Sequence, residues 1–311
     1  MNRALQLDER PSELMPPRPG RRPVVDDPGH AGWAARALAD GAVVAHGFAN
    51  LYAITTRPDE QTVRRVNLMK GRPATQVGSL TTAASDITDL WDLAQLPPGL
   101  SRQAVLEIVD AFFALGPFGF RGPAARRLPD HLTALDGGVR TAQVIAPGHR
   151  CPSNHFLRLA MQEAGQDYLY ITSANRSHHQ TGADDSPAHW KAAGLLAEFG
   201  DQPDFLVLEH DNEDRARERY PHFLPMSTSV LGLHAVRRVP GDPRPHLVLE
   251  RHGSLSVDVV RTLLSDLGLG LVLGPLAAVR LQPRDYLSRL CDREDASPDR
   301  RGRGPAGGQT S

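Results

Sequence analysis

Lysine is nearly missing from this chain of 311 residues. Lys70 and Lys191 are the only two among 35 basic side chains, and the rest are arginine. Each surviving lysine therefore asks for a reason. Cysteine is as scarce: Cys151 and Cys291 alone exclude a disulfide scaffold and a cysteine-built zinc site. They suit a reducing compartment, so a cytoplasmic location is expected. Neither sign of charge is in excess, since 35 basic and 36 acidic residues leave a net charge of −1. That gives no global pull towards nucleic acid or an anionic membrane. Long apolar runs are lacking too. The longest, near residues 263–279, is broken by Ser265, Asp266, Pro275 and several glycines. A bilayer span needs about 20 apolar residues in a row, so no membrane partner is expected. The N-terminus has no apolar core segment, and no secretory leader is expected.

Several motifs are also absent. There is no G-x-S-x-G elbow and no Walker G-x-x-x-x-G-K-[ST], which argues against an α/β-hydrolase and a P-loop NTPase. Gly302, Gly304 and Gly307 match G-x-G-x-x-G in form, but no strand precedes them and no helix follows, so they fail as a dinucleotide site. The histidine pairs 178/179 and 149/155 show no convergent ligand set, so no metal site is expected.

What is present is ordinary globular material: 40% apolar residues with 28 glycines, enough for a core. Residues 1–29 are rich in Pro, Arg, Asp and Glu and read as a disordered arm; residues 292–311 read as a charged, Gly/Pro-rich tail. The folded part is expected over residues 30–291. Within it strands and helices alternate. Short buried strands are expected at 41–46, 141–146, 167–171, 205–208 and 246–250. Helices are expected at 57–69, from Ser101 onward, at 153–164 and at 256–267. The polar stretch 209–220 reads as an inserted loop. The alternation predicts a single α/β domain of about 250 residues.

Four short segments can carry chemistry. Lys70-Gly71-Arg72-Pro73 follows a helix, so its cations complement the helix dipole or grip a phosphate from a stiff turn. Thr172-Ser173-Ala174-Asn175-Arg176-Ser177 follows a strand, where a polar turn caps a helix or floors a pocket. Pro225-Met226-Ser227-Thr228-Ser229 is a hydroxyl cluster. Arg251-His252-Gly253 ends a strand with an arginine that can reach an anion.

In that order, with Pro147-Gly148-His149 between the first two, these segments resemble the YrdC-like family, whose best-known members are the threonylcarbamoyl-AMP synthases of tRNA modification. The resemblance covers roughly residues 41–267. It implies a twisted α/β sheet with flanking helices around a large concave pocket. It also implies a cytoplasmic nucleotidyltransferase that uses ATP, with Mg²⁺ expected alongside, and bicarbonate and an amino acid as co-substrates. In such enzymes an N-carboxy amino acid attacks the α-phosphorus of ATP and releases pyrophosphate, and the adenylate passes to a tRNA-modifying partner. Carried over by motif, Lys70 and Arg72 would hold the triphosphate and serve catalysis. Thr141, Ser173, Asn175, Thr181 and Arg251 would bind the nucleotide.

The amino-acid side departs from the family pattern. Where the family reads P-T-D-T-V-Y-G-L, this chain has Gly47-Phe48-Ala49-Asn50-Leu51-Tyr52-Ala53-Ile54. Phe48 replaces the threonine-binding position, and only Tyr52 is kept. The family's R-x-P arginine, which would pair the substrate carboxylate, aligns with Ile145; Ser227 is kept. The altered set Phe48, Tyr52, Ile145 and Ser227 predicts an acceptor, amino acid or amine, that is larger, more apolar or lacks a free carboxylate there. Two other readings stand beside it. One is a diverged threonine enzyme rebuilt through Asn50 and Thr55. The other is a non-catalytic nucleotide- or double-stranded-RNA-binding relative, with Arg121, Arg126, Arg127, Arg140 and Arg150 along a basic face.

Overall fold

The molecule, seen as a computed structural model, is described over residues 22–176 and 188–280. The strands are β1 (Val43–Phe48), β2 (Leu51–Thr56), β3 (Ser79–Thr81), β4 (Phe118–Pro123), β5 (Ala134–Asp136), β6 (Val139–Ala146), β7 (Leu169–Ser173), β8 (Phe205–Leu208), β9 (Val230–Val239), β10 (Asp242–Arg251) and β11 (Gly270–Leu273). They form one sheet in the order β11-β10-β9-β4-β6-β3-β7-β2-β1-β8, with β5 attached to β6. Pairing is mixed: β4–β6 and β2–β7 are antiparallel, while β3–β6 and β4–β9 are parallel. The helices among the described residues are α1 (Pro28–Ala39), α2 (Glu60–Met69), α3 (Arg102–Leu115), α4 (Ser153–Ala164), α5 (Ala192–Phe199), α6 (Glu213–Glu218) and α7 (Val257–Asp266). None is long and apolar enough to cross a membrane.

The helices start where short polar side chains cap them. Asp59, Ser101 and Ser256 each accept from the backbone N–H three residues on, which satisfies donors the first turn leaves open. Two layers of side chains then fix the sheet. On one face α1 and α4 close over Val44, Leu169 and Leu208, with Leu38 and Phe156 fully buried. On the other, Phe112 of α3 stacks on Phe118 with ring centres 4.1 Å apart, and Phe120 meets Phe112 edge-on.

Several expected boundaries move. Val25 is buried, Val24 bridges to Glu209, and Asp27 caps α1, so the fold begins before residue 30. The terminal segments 1–21 and 281–311 lie outside the described residues. The stretch 209–220 is not a bare loop: Asn212 caps α6, and Ala216 and Tyr220 are buried. The first strand runs on to Phe48 and turns at once into β2. Ala49 in that turn has φ of +54°, unusual for a side chain with a Cβ, and its N–H is held 3.2 Å from the Cys151 sulfur. Cys151 is thus a buried structural thiol, and burial pushes its pKa up.

Candidate functional site

The site grows from the ends of strands on one face of the sheet. Side chains alternate along a strand, so Thr141, Gln143 and Ile145 of β6 share a face with Arg121 of β4, Ile171 and Ser173 of β7, and Ala53 of β2. This is the face that α1 and α4 cover farther along β7, at Leu169. Beyond those helices a cavity of about 450 Å³ opens, within the size range of small-molecule sites.

Each wall has a local cause. The Lys70–Pro73 segment leaves α2 through a glycine C-cap. Gly71 adopts φ of +68°, its N–H donates to Leu68 O at 2.9 Å, and the Arg72 N–H donates to Asn67 O at 2.8 Å. This closes the helix and fixes where Arg72 leaves it. Arg72 then reaches the next wall, donating from Nη1 to Thr172 Oγ1 at 2.9 Å. The Ser173–Asn175 turn closes on itself, with Ser173 Oγ donating to Asn175 Oδ1 and Asn175 Nδ2 donating to Arg176 O at 2.7 Å. The opposite wall needs Gly253. A Cβ there would lie 2.1 Å from Ser227 O, so only glycine lets the Ser227–Ser229 segment lie against the end of β10. Arg251 fastens the two, donating from Nε to Thr228 O at 2.7 Å and from Nη2 to Thr228 Oγ1 at 3.0 Å.

Most of the residues singled out in the sequence meet at this cavity. Arg72, Thr141, Ser173, Arg251, Phe48, Ile145 and Ser227 all line it. Three described ones do not. Lys70, expected on the phosphates, is fully buried, and its ammonium donates to the carbonyl oxygens of Ser173 and Asn175. It holds the turn that frames the cavity. Asn175 is buried behind that turn. Tyr52 points to the other face because its neighbours Leu51 and Ala53 take the cavity side. Its hydroxyl donates to Glu213 Oε1 at 3.1 Å and accepts from the His210 N–H at 3.1 Å. Burial, then the Glu213 carboxylate, push its pKa up. Thr181 lies outside the described residues. Asn50 and Thr55 do not rebuild the pocket either: Asn50 donates to Phe223 O at 3.0 Å, and Thr55 bonds His46 Nε2 at 2.7 Å.

The cavity is electropositive and rich in hydroxyls. Burial holds the Arg72 guanidinium below its usual range. Arg251 is pushed down to about 10, first by burial and then by the charges of Arg121 and Arg72, against the attraction of Glu250. Arg72 Nε is a buried donor with no partner among the described residues, and so is the acceptor Gln76 Oε1 beside it. Such groups are costly unless something binds them. The cavity lining also includes the apolar side chains of Phe48, Leu51 and Ile145. Among the described residues no carboxylate lines the cavity, so they do not fit a resident Mg²⁺ site.

The sequence reading names the segments that hold Thr172 and Thr228 but misses Arg121, Gln143 and Ser79 as lining residues. Arg121 was placed on a basic RNA-binding face, but it pairs with Glu250 inside the wall at 2.7 Å. Its signal was local: a lone charge in the otherwise apolar strand Phe118–Pro123, flanked by Gly119 and Gly122. Two other arginines of that face are tied up locally, Arg127 with Asp167 at 3.5 Å and Arg140 with Asp130 at 3.1 Å.

The structure is similar to Sua5 from P. abyssi, solved with L-threonine, at 18% identity over 87% of this chain and 73% of that one, with a TM-score of 0.56. It is also similar to a hypothetical protein, smu.1377c, from Streptococcus mutans, at 14% identity over 78% of this chain and 94% of that one, with a TM-score of 0.55. At these identities the likeness shows the fold. No curated protein matches the sequence significantly. The Sua5/YciO/YrdC family profile, described as telomere recombination, matches residues 36–218. The chain belongs to the Sua5/YciO/YrdC family.

Proposed function

We propose that the protein is an ATP-dependent, adenylate-forming enzyme whose acceptor pocket differs from one built for threonine. The observation that carries this reading is the convergence of Arg72, Arg251 and the hydroxyls of Thr141, Ser173 and Ser227 with Phe48 and Ile145 around one cavity. The cationic, hydroxyl-rich part suits a polyphosphate, since guanidiniums grip phosphate oxygens as planar forks. The apolar part suits the body of a second substrate. Sua5 from P. abyssi, complexed with L-threonine, supports an amino acid or amine in that role.

The reaction is written in two steps. Bicarbonate and the acceptor amine condense to a carbamate and water. A carbamate oxygen then attacks the α-phosphorus of ATP; the bond to the β-phosphate oxygen breaks and pyrophosphate leaves. Arg72 and Arg251 would offset the charge that develops on the phosphates, an electrostatic task that fixed donors perform without reorganising. Thr141, Ser173 and Ser227 would orient the nucleotide. Phe48 and Ile145 exclude water from the acceptor end and offer it no hydrogen bond. With no guanidinium at 145, a substrate carboxylate there would lose a charge-assisted contact of about 1.5–3 kcal/mol.

The test is pyrophosphate release from ATP, Mg²⁺ and bicarbonate across a panel of amino acids and amines. The reading expects turnover with an apolar or carboxylate-free acceptor and poor turnover with threonine. Threonine turnover above that of every other acceptor would remove the altered-pocket part. No pyrophosphate with any acceptor would remove the enzymatic part.

A further inference from the structure

The cavity holds a third guanidinium, and it is built in. Arg121 projects from β4 beside Gln143 of β6, its direct register partner. Its Nε donates to Glu250 Oε2 at 2.7 Å and its Nη2 donates to Gln143 Oε1 at 2.9 Å. Gln143 in turn donates from Nε2 to Ser79 Oγ at 2.6 Å, which locks the row across β4, β6 and β3. Behind Glu250, His234 lies with Nδ1 3.6 Å from Glu250 Oε1 and Nε2 3.1 Å from Asp136 Oδ2. Arg121 is thus held on two of its three nitrogens, and Nη1 is its only nitrogen with no protein partner among the described residues. Arginine presents five N–H donors in a fixed fork, so fixing two nitrogens orients the third.

The three guanidiniums share one field. All three line the same cavity, and the charges of Arg121 and Arg72 both disfavour that of Arg251. Three cations around one hollow, with only Glu250 offsetting them, are unfavourable until a multiply charged anion enters. A single carboxylate would leave most of that repulsion in place. A run of phosphates would not.

We propose that Arg121 is a third phosphate-binding arginine of this cavity, positioned by Glu250 and Gln143 to contact the polyphosphate of the nucleotide alongside Arg72 and Arg251. This rests on the adenylate-forming reading for the identity of the nucleotide, but not for the anion site itself. In this structure the phosphate cations are then three arginines, while Lys70 serves the turn.

The experiment is calorimetric binding of tripolyphosphate, Mg²⁺-ATP and adenosine to the full chain and to Arg121→Gln and Arg121→Lys. Loss of one charge-assisted contact predicts a fall of about 10- to 100-fold in tripolyphosphate and ATP affinity. Adenosine binding should hold, and Arg121→Lys should recover part of the loss. A second measurement needs no variant: in the unaltered chain, tripolyphosphate should protect Arg121 from phenylglyoxal, read by peptide mass spectrometry. Tripolyphosphate affinity unchanged within about twofold in Arg121→Gln, or protection of Arg72 and Arg251 without Arg121, overturns the proposal, as does no binding of tripolyphosphate at all. The two readings fail separately. Binding through Arg121 without pyrophosphate release for any acceptor leaves this site standing and removes the reaction. Pyrophosphate release with binding indifferent to Arg121 does the reverse.

Discussion

Lys70 donates to the carbonyl oxygen of Asn175 at 2.6 Å, across 105 residues of chain, and to that of Ser173 as well. The K-G-R-P and S-A-N segments are therefore one unit, tied by the ammonium. Removing it strands buried carbonyls, each costing about 1–3 kcal/mol when unsatisfied. Lys70→Met should lower stability by about 2–4 kcal/mol and weaken ATP binding through the disordered wall. Arg72→Gln should weaken ATP binding with a much smaller change in stability, because its charge is already disfavoured by burial. Urea denaturation beside ATP titration separates the two. Equal stability losses would mean that Lys70 is not the structural tie.

Gly78 is a second tie. It lines the cavity just after the Lys70–Pro73 segment, and a Cβ there would sit 2.1 Å from the Tyr170 ring. Tyr170 is fully buried and its hydroxyl donates to Asn67 Oδ1 at 3.2 Å, so the ring has nowhere to go. Gly78→Ala should cost about 1–3 kcal/mol by overpacking and shift Arg72 with its loop. Thermal denaturation and the ATP dissociation constant both read it. A variant with wild-type values in each would show that the loop yields freely.

Buried histidines set an acid limit. His46 is fully buried with its pKa pushed down to about 3, mainly by burial, and His210 is lowered for the same reason. Between about pH 3 and the unfolded value of 6.5 the unfolded chain binds the His46 proton and the folded chain does not. Stability is thus fully present above pH 6.5 and falls as pH drops through that window, by about 1.4 kcal/mol per pH unit for one such group. His46→Gln should flatten the slope measured by denaturation between pH 4 and 6.5. An unchanged slope would assign the acid sensitivity to other groups.

How much of this was legible follows from the range of each signal. The helix at 153–164 was readable because its apolar spacing and its closing Gly165 are local, and Ser101 and Ser256 announce their helices as caps. Thr141, Ser173, Ser227 and Arg251 could be placed at a pocket from motif order. The direction of Tyr52 could not, since the tyrosine of the motif is kept while its face depends on where β2 pairs. The sequence points Lys70 at a ligand because its bonds to two main-chain carbonyls leave no mark there. Arg121 was hidden for the same kind of reason: a single arginine in a short strand becomes meaningful only once β6 and β10 bring Gln143 and Glu250 to it.

The acceptor end gives the sharpest prediction about specificity. Ile145 is 7% exposed and rests against Gly119, where a Cβ would come within 3.1 Å of Ile145 Cδ1. Arg121 stands two residue pairs farther along the same two strands, on the same face. Introducing a guanidinium by Ile145→Arg therefore adds a fourth cation close to three existing ones, in a space fitted to an aliphatic chain. Alone it should destabilise by about 1–3 kcal/mol, as buried uncompensated charge does. Combined with Phe48→Thr, which opens room and supplies a hydroxyl, the arginine gains a place for a carboxylate between it and the apolar wall. The double variant should then raise kcat/KM for threonine relative to the best wild-type acceptor by at least about tenfold, the worth of one charge-assisted hydrogen bond. ATP affinity should stay within a few-fold, because neither substitution removes a phosphate contact. Competition between threonine and that acceptor in one pyrophosphate-release assay measures the ratio directly. An unchanged ratio in a folded double variant would mean that Phe48 and Ile145 shape the wall without choosing what lies against it.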